Sequence, residues 1–217
     1  ADVDTLDFNF NEARIEDESF RYNTFSVNTF VNHKFNAKNV VRAGITFHKK
    51  DFKLDYTAFN WDENKTERLI NTSGNTNQFE SFVHWQHRVN EKIDINSGVH
   101  YTLLTLNNNY SIEPRLGIRW DISKQHRLNF GAGLHSKVEA VSIYLAEKDL
   151  GNGNVINPNK DLEITKAAHL VLGYNWNFAQ DFRLKTEIYY QHLYAVPVDL
   201  LDKTNTISRL MPFVLVS

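Results

Sequence analysis

The chain has 217 residues, no cysteine, a formal net charge of -2, 13% aromatic residues and 23% charged residues. The lack of cysteine excludes a disulfide scaffold and a thiolate zinc site, and no apolar run approaches the ~18 residues of a transmembrane helix. The aromatic content excludes a disordered chain, and a net charge near zero predicts no nucleic-acid partner.

Apolar and polar residues alternate with a period of two along most of the chain, which is typical of strands with two different faces. In chain order, the alternation predicts strands over residues 20–35, 40–60, 79–89, 93–106, 110–122, 127–135, 165–178 and 182–194. The clearest case is 110–122, where every even-numbered residue is apolar and four odd-numbered residues are charged. On a helix the same charges would surround the cylinder, so the pattern favours a strand.

One predicted strand contains a change of parity. Over residues 40–60 the apolar positions are odd-numbered from Val41 to Phe47 and even-numbered from Phe52 to Ala58. One extra residue in a strand reverses the face that each following side chain takes. The change therefore predicts a β-bulge around Lys49-Lys50-Asp51.

The connections between the predicted strands differ in length at the two ends. Residues 36–39, 90–92, 123–126 and 179–181 form short connections, whereas residues 61–78 and 136–164 form long polar ones, with 107–109 as a short turn among the long loops. Short periplasmic turns and long outer loops are the asymmetry of an outer-membrane barrel. Several strands of roughly 12–15 residues also exceed the ~5–6 residues of soluble strands.

No predicted helix is long enough to cover the apolar faces of these strands, so lipid is the expected cover. The sequence therefore predicts an all-β fold: a partial, antiparallel, up-and-down transmembrane β-barrel of about eight to ten strands, with short periplasmic turns and long outer loops. Two alternatives stay open. One is a complete small outer-membrane barrel that acts as a pore or a surface enzyme, and the other is a soluble glycan-binding β-protein with two packed sheets.

Charged residues of the polar strand faces are predicted to line the barrel lumen: Glu113, Arg115, Arg119, Arg183 and Glu187. A salt-bridged, hydrated wall is the simpler interpretation, because barrel lumens are polar. The functional interpretation is contact with a solute or a plug. No catalytic arrangement and no metal-ligand spacing stands out, so we expect neither an enzyme nor a cofactor.

Four residues of the long connections are candidate ligand contacts: Trp61, Tyr144, Glu147 and Lys148. Residues 138–147 predict about two helical turns inside the longest loop, and long ordered loops at the wide end of a barrel are where ligand contacts belong. The alternative is that these side chains only pack the loop against the barrel.

Three stretches together resemble one protein family. They read Ser111-Ile-Glu-Pro-Arg-Leu-Gly-Ile-Arg-Trp120 with Leu128-Asn-Phe-Gly-Ala-Gly-Leu-His135 after the turn, then Asn157-Pro-Asn-Lys-Asp-Leu-Glu-Ile-Thr-Lys-Ala-Ala-His-Leu-Val-Leu-Gly-Tyr174, then Phe182-Arg-Leu-Lys-Thr-Glu-Ile-Tyr-Tyr-Gln-His-Leu-Tyr-Ala-Val-Pro-Val198. Over about residues 19–200 the sequence is similar to the C-terminal part of the barrel of TonB-dependent outer-membrane receptors, of the type common in Bacteroidetes.

The resemblance implies a bacterial outer-membrane protein that imports a scarce solute, such as a siderophore, haem, a vitamin, a glycan or a peptide, with energy transduced through TonB. It implies a parent barrel of about 22 strands around a plug domain. Residues 1–217 are then expected to be a fragment of the barrel domain, with the plug absent. The expected partners are outer-membrane lipid, TonB and a plug domain in the parent protein, and a small solute, without nucleic acid.

Overall fold

The computed structural model describes residues 2–6, 12–61, 64–150, 154–179, 182–199 and 215–216. These residues form thirteen strands and one helix, which are, in chain order, β1 (Asp2–Leu6), β2 (Glu12–Lys34), β3 (Asn39–Asn60), β4 (Lys65–Arg88), β5 (Ile93–Leu104), β6 (Asn109–Asp121), β7 (His126–Lys137), α1 (Val141–Tyr144), β8 (Lys148–Asp149), β9 (Val155–Ile156), β10 (Thr165–Ala179), β11 (Phe182–Tyr194), β12 (Val198–Asp199) and β13 (Leu215–Val216). No helix in the described part of the chain is long and apolar enough to cross a membrane. Of the predicted turn at 179–181, residues 180–181 lie outside the described residues.

The nine main strands form one antiparallel sheet in the order β1-β2-β3-β4-β5-β6-β7-β10-β11. The predicted all-β, up-and-down architecture is confirmed. Connections of residues 35–38, 89–92 and 122–125 lie at one end of the sheet, named here the short-turn end. Helix α1 and the β8–β9 hairpin lie in the β7–β10 connection at the opposite end, named the loop end.

The exposure of the two faces is the reverse of that in soluble proteins, where apolar side chains are buried and polar side chains are exposed. One face, named the apolar face, carries large side chains that are 39–59% exposed: Ile45, Val83, Val99, Ile112, Leu116, Trp120, Leu172 and Trp176. The other, named the polar face, carries hydrophilic side chains that are only 2–8% exposed: Gln78, Asp94, Thr102, Ser111, Glu113 and Asn175. The sheet therefore directs its apolar residues outward and shelters its charges.

Strands β2 and β4, with 23 and 24 residues, are longer than predicted, whereas β3, with 22 residues, matches the strand predicted over 40–60 to within one residue. The predicted long loop over residues 61–78 is wrong, because β4 already begins at Lys65, which leaves only residues 61–64 between β3 and β4. The part of β4 that was predicted as a loop is rich in Thr, Ser and Asn. A strand with polar side chains on both faces still forms a complete backbone ladder, but it has no alternation for a sequence pattern to detect.

The predicted bulge around Lys49-Lys50-Asp51 is also wrong. Strand β3 runs through these residues in unbroken register with both β2 and β4, and its register shift with β4 lies between Tyr56 and Thr57. The parity changes because the apolar residues of β3 lie on the apolar face up to Phe47 and on the polar face from Phe52 onward. Towards the loop end, Phe52, Leu54 and Tyr56 of β3 point to the polar side of the sheet and are buried there. They form one cluster with Leu69 and Ile70 of β4 and Val141 of α1.

The long β7–β10 connection folds back onto this cluster. Its helix α1 has 4 residues instead of the predicted two turns, since Ala140 supplies no side-chain cap and buried Val141 and Tyr144 fix the turn against the sheet. The connection is held by backbone and amide hydrogen bonds: the Glu147 N–H donates to the Leu69 carbonyl at 2.8 Å, and the Asn109 amide donates to the Leu162 carbonyl at 2.8 Å. The described residues of this connection are therefore packed against the wall of the sheet.

Candidate functional site on the polar face

A ladder of alternating charges crosses four strands near the short-turn end. Arg88 of β4 donates from Nε to Asp94 of β5 at 3.2 Å, and Arg119 of β6 donates to the other oxygen of the same carboxylate. Asp121 then accepts from Arg127 of β7 and lies 3.7 Å from the Nε atom of Arg119. Register explains the ladder, because Asp94 is directly opposite Arg119 and Asp121 directly opposite Arg127.

A second group lies farther from the short turns, around the carboxylate of Glu113. Arg115 donates to Glu113 at 2.5 Å, the Ser136 hydroxyl donates to its other oxygen, and His100 Nδ1 lies 3.4 Å away. Glu113 is only 2% exposed. A charge so sheltered requires several polar contacts, because an unpaired buried carboxylate is strongly unfavourable.

This group continues through β5 and β4 to β3. The carboxylate of Glu80 lies 3.6 Å from His100 Nε2 and 3.7 Å from His48 Nε2. The Gln78 amide donates to Glu80 at 2.6 Å, and the Lys50 ammonium donates to Gln78 at 2.6 Å. Sequence analysis missed this extension, although Glu80 stands at a polar-face position of its strand. Alternation assigns a face, whereas the partner of each side chain depends on the register between strands.

The five residues predicted to face a lumen all lie on the polar face, but they do not form one site. Glu113 and Arg115 contact each other, and Arg119 belongs to the ladder with Asp94. On β11, Arg183 and Glu187 have separate partners: Arg183 donates to the Asn175 side-chain oxygen at 2.8 Å, and Lys185 lies 2.8 Å from Glu187. Within the described residues, no group of three or more His, Asp or Glu side chains is arranged to hold a metal ion.

The structure does not bring the predicted ligand contacts of the loops together. Trp61 is 69% exposed in the β3–β4 turn, with its ring 4.9 Å from that of Phe59. Tyr144 is fully buried in a cluster with Leu104 and Leu162, and burial raises the pKa of its hydroxyl. Glu147 is half-buried and Lys148 is exposed on β8. The position of Tyr144 agrees with the packing alternative, and ligand contact by the other three stays a prediction.

No protein-family model matches the sequence, and no curated protein does so either. Solved structures are similar in fold. A variant of the ferric enterobactin receptor (PfeA) from Pseudomonas aeruginosa has a TM-score of 0.64 at 12% identity, with 89% of this chain and 30% of that chain covered. The FrpB iron transporter from Neisseria meningitidis has a TM-score of 0.57 at 10% identity, covering 84% of this chain and 31% of that chain.

The copper transporter OprC has a TM-score of 0.58 at 12% identity, covering 80% of this chain and 30% of that chain. The chain therefore spans about 30% of the length of the solved structures that it matches. At identities this low the likeness establishes the fold, and this fold is a part of a β-barrel of the kind that these transporters and receptors form.

Proposed function

We propose that this chain is part of the barrel of a TonB-dependent outer-membrane receptor, and that the parent protein imports a scarce solute across a bacterial outer membrane. The observation that carries the proposal is the reversed burial of the two faces, with exposed apolar side chains outside and sheltered charges inside. The likeness in fold to an iron transporter, a ferric enterobactin receptor and a copper transporter supports the same function class.

Lipid is the medium that makes the exposed face favourable. Exposed apolar patches on soluble monomers are limited to roughly 300–600 Å², whereas the apolar face extends without interruption from β3 to β10. Hydrocarbon chains cover such a surface without cost, and a closed barrel satisfies every backbone hydrogen bond inside the bilayer. Exposed aromatic side chains near the short turns, including Trp85, Trp120 and Trp176, suit the girdle at a membrane boundary.

The alternatives receive less support. A soluble β-protein with two packed sheets requires the apolar face to be covered by protein, and in the described residues it is not. A complete small barrel requires the two end strands of the sheet to pair, and the described parts of β1 and β11 do not pair with each other. A transporter rather than an enzyme also fits the solved structures of similar fold.

The finer parts of the proposal rest on the resemblance in sequence. The stretch from Ser111 to Trp120, the lead-in before β10 and the β11 stretch favour a receptor of the Bacteroidetes type and the C-terminal part of its barrel. The same resemblance supports a plug domain in the parent protein, energy delivered by TonB, and a small solute as cargo.

Uptake by living cells tests this function. The gene is deleted in its own bacterium, and accumulation is measured for a panel of probes: iron-55 siderophores, haem, cobalt-57 cobalamin, and labelled oligosaccharides and peptides. We expect the deletion to abolish uptake of one class, the intact gene to restore it, and a protonophore to block it. Normal accumulation of every probe, or restored uptake that continues in de-energised cells, would contradict active import.

A further inference from the structure

The side of the sheet that carries the apolar face becomes polar towards the loop end. Phe47 and Phe79 are opposite each other in register with their rings 5.0 Å apart, and Phe25 of β2 is 63% exposed on the same side. Beyond these aromatic residues, β2, β3 and β4 present exposed polar side chains on this side: Arg21, Asn23, Lys53, Asn71, Ser73 and Asn75. We name these six residues the outer polar patch. It continues the apolar face directly.

The outer polar patch holds two cations without a carboxylate partner. Its neighbouring acids already have cations beside them, since Asp51 lies 3.7 Å from Lys49 and Asp55 lies 3.9 Å from Arg68. Arg21 and Lys53 form no ion pair with any described residue.

Register places these two cations side by side. Arg21 of β2 is directly opposite Lys53 of β3. Residues directly opposite in an antiparallel pair have Cβ atoms about 5 Å apart, and like charges in such a pair destabilise the sheet. An anion between them removes the repulsion, and at this separation a guanidinium and an ammonium group can contact the same phosphate. The pair is therefore suited to one phosphate group.

The remaining side chains of the outer polar patch are amides and a hydroxyl. Ser73 is opposite Lys53, and Asn71 and Asn75 are two residues to either side of Ser73 on β4. None of the three makes a side-chain hydrogen bond within the part of the chain that the structure describes. Amide and hydroxyl groups both donate and accept hydrogen bonds, as the hydroxyl groups of a sugar do. A phosphate that carries sugars fits this surface better than a phosphate alone.

The height of the cations indicates the size of the headgroup. Lys53 is six residues beyond Phe47 on the same strand, which is about 20 Å along β3 and, at a tilt of ~40°, about 15 Å along the membrane normal. A headgroup layer of ordinary phospholipid is only about 5–8 Å thick. A phosphate at the height of Arg21 and Lys53 therefore belongs to a larger headgroup, one built on sugars.

We propose that the outer polar patch binds the headgroup of an anionic glycolipid in the outer leaflet of the membrane. Arg21 and Lys53 hold a phosphate of this headgroup, and Asn71, Ser73 and Asn75 hydrogen-bond its sugar hydroxyls. This inference rests on the proposed function, because it requires lipid around the apolar face and the loop end outside the cell. It adds a lipid site of defined chemistry on the outer surface of the barrel.

Binding of fluorescent lipid A, a disaccharide lipid with two phosphates, tests the site. The full-length protein is purified in detergent, and its affinity for the probe is measured by fluorescence anisotropy. Arg21→Gln with Lys53→Gln is expected to weaken binding about 25-fold, at about fivefold for each cation near a membrane surface. The matched control, Lys92→Gln with Lys124→Gln, removes two exposed cations at the short-turn end and is expected to leave binding unchanged. Equal affinities of the two double variants, or no binding by the unaltered protein, would overturn the proposal.

Further variants and lipids test the chemistry of the contact. Arg21→Lys with Lys53→Arg keeps both charges and is expected to keep the affinity, so a loss as large as that of the Gln pair would refute a phosphate contact. Unlabelled lipid A should displace the probe, whereas dephosphorylated lipid A and phosphatidylglycerol should displace it at least tenfold less well; equal displacement by either would refute a phosphorylated sugar headgroup. If energised uptake is intact and lipid A does not bind, this inference fails alone. If no energised uptake exists, the proposed function fails whatever the lipid shows.

Discussion

An arginine on the apolar face at the depth of Leu172 measures directly which solvent covers that face. Leu172 is 47% exposed, and it lies between Phe130 of β7 and Ile188 of β11. Trp176 is four residues from Leu172 in the direction of the short-turn end. Its ring lies 5.3 Å from that of Phe178, in the aromatic group expected at the membrane boundary. Four residues of a strand tilted by ~40° span about 10 Å along the membrane normal, which is near the middle of a ~25 Å apolar band.

The expected magnitude follows from this depth. An arginine at the middle of a bilayer costs roughly 2–4 kcal/mol on the lipid side of a barrel and about 0–1 kcal/mol near the boundary. We therefore expect Leu172→Arg to lower the free energy of unfolding by about 2–4 kcal/mol and Phe182→Arg, beside the short turn, by at most about 1 kcal/mol. The matched control is Val171→Arg, one residue away on the polar face, beside a cavity of about 470 Å³. It should change stability by no more than about 0.5 kcal/mol.

The assay is urea unfolding of the full-length protein in phosphatidylcholine vesicles, followed by tryptophan fluorescence. The free energies are compared at equal slope with denaturant, because a changed slope indicates a changed unfolded state. If water covered the apolar face, Leu172→Arg would replace an exposed apolar side chain by a soluble one and would be neutral or stabilising. A loss for Leu172→Arg that is no larger than the loss for Val171→Arg would refute lipid as the solvent.

Four further predictions concern packing, charge and pH. Gly44→Ala should lower the free energy of unfolding by about 1–3 kcal/mol in thermal unfolding, because the new Cβ would lie 2.7 Å from the Phe82 ring. The control is Gly117→Ala, which should be neutral because the atoms nearest its new Cβ are 3.9 Å away. Equal losses for the two variants would contradict the tight contact at Gly44. Glu113→Gln removes the charge that its arginine, serine and histidine neighbours contact, and should cost about 1–3 kcal/mol in urea unfolding; an unchanged midpoint would mean that the carboxylate is not required. Tyr144→Ala should open the β7–β10 loop to proteolysis at a cost of about 3–5 kcal/mol, whereas Tyr144→Phe should leave it protected, and protection of both variants would contradict the packing role. Burial raises the pKa of the Tyr144 hydroxyl and favours its neutral form, so loop protection should be complete below about pH 10, decline as the pH rises through the raised pKa, and show no such decline in Tyr144→Phe.

Several strands could be predicted closely from local pattern alone. The expected strand at 110–122 is Asn109–Asp121, that at 165–178 is Thr165–Ala179, and that at 182–194 is Phe182–Tyr194. In these segments apolar residues occupy one face and polar residues the other along nearly the whole strand. The period of two therefore runs through the whole element, and a single sequence reveals it.

The loop-end half of β4, and the inward burial of the loop-end half of β3, could not be predicted in the same way. There the apolar side chains of both strands lie on the inward face and pack with Val141 of α1, which belongs to a distant part of the chain. A local pattern contains no information on that contact. The parity change at Phe52 was visible, but the sequence alone does not distinguish an inserted residue from a change of surroundings. The backbone register decides for the surroundings.

The candidate site was predictable by face and not by partner. Glu113, Arg119 and Arg183 were assigned to the polar face because each occupies the polar parity of its strand. Their contacts are set by register between strands that are far apart in the sequence, as the pairing of Asp94 with Arg119 illustrates. Charge ladders of this kind become visible only after every strand is aligned with its neighbours.

The change at Phe52 also marks where charged residues replace apolar ones on the outward face of β3. Along β3 the outward residues are apolar up to Ile45 and Phe47, and then charged at Lys49, Asp51 and Lys53. No register shift of β3 with β2 or β4 accompanies this change, so the strand continues through it without an inserted residue. Under the proposed function the outer boundary of the bilayer therefore crosses β3 between Phe47 and Asp51. Beyond this boundary the outward residues of β3 do not need to be apolar, because they do not contact the hydrocarbon chains of the lipid. The apolar side chains of the strand can therefore point inward there and pack at the loop end.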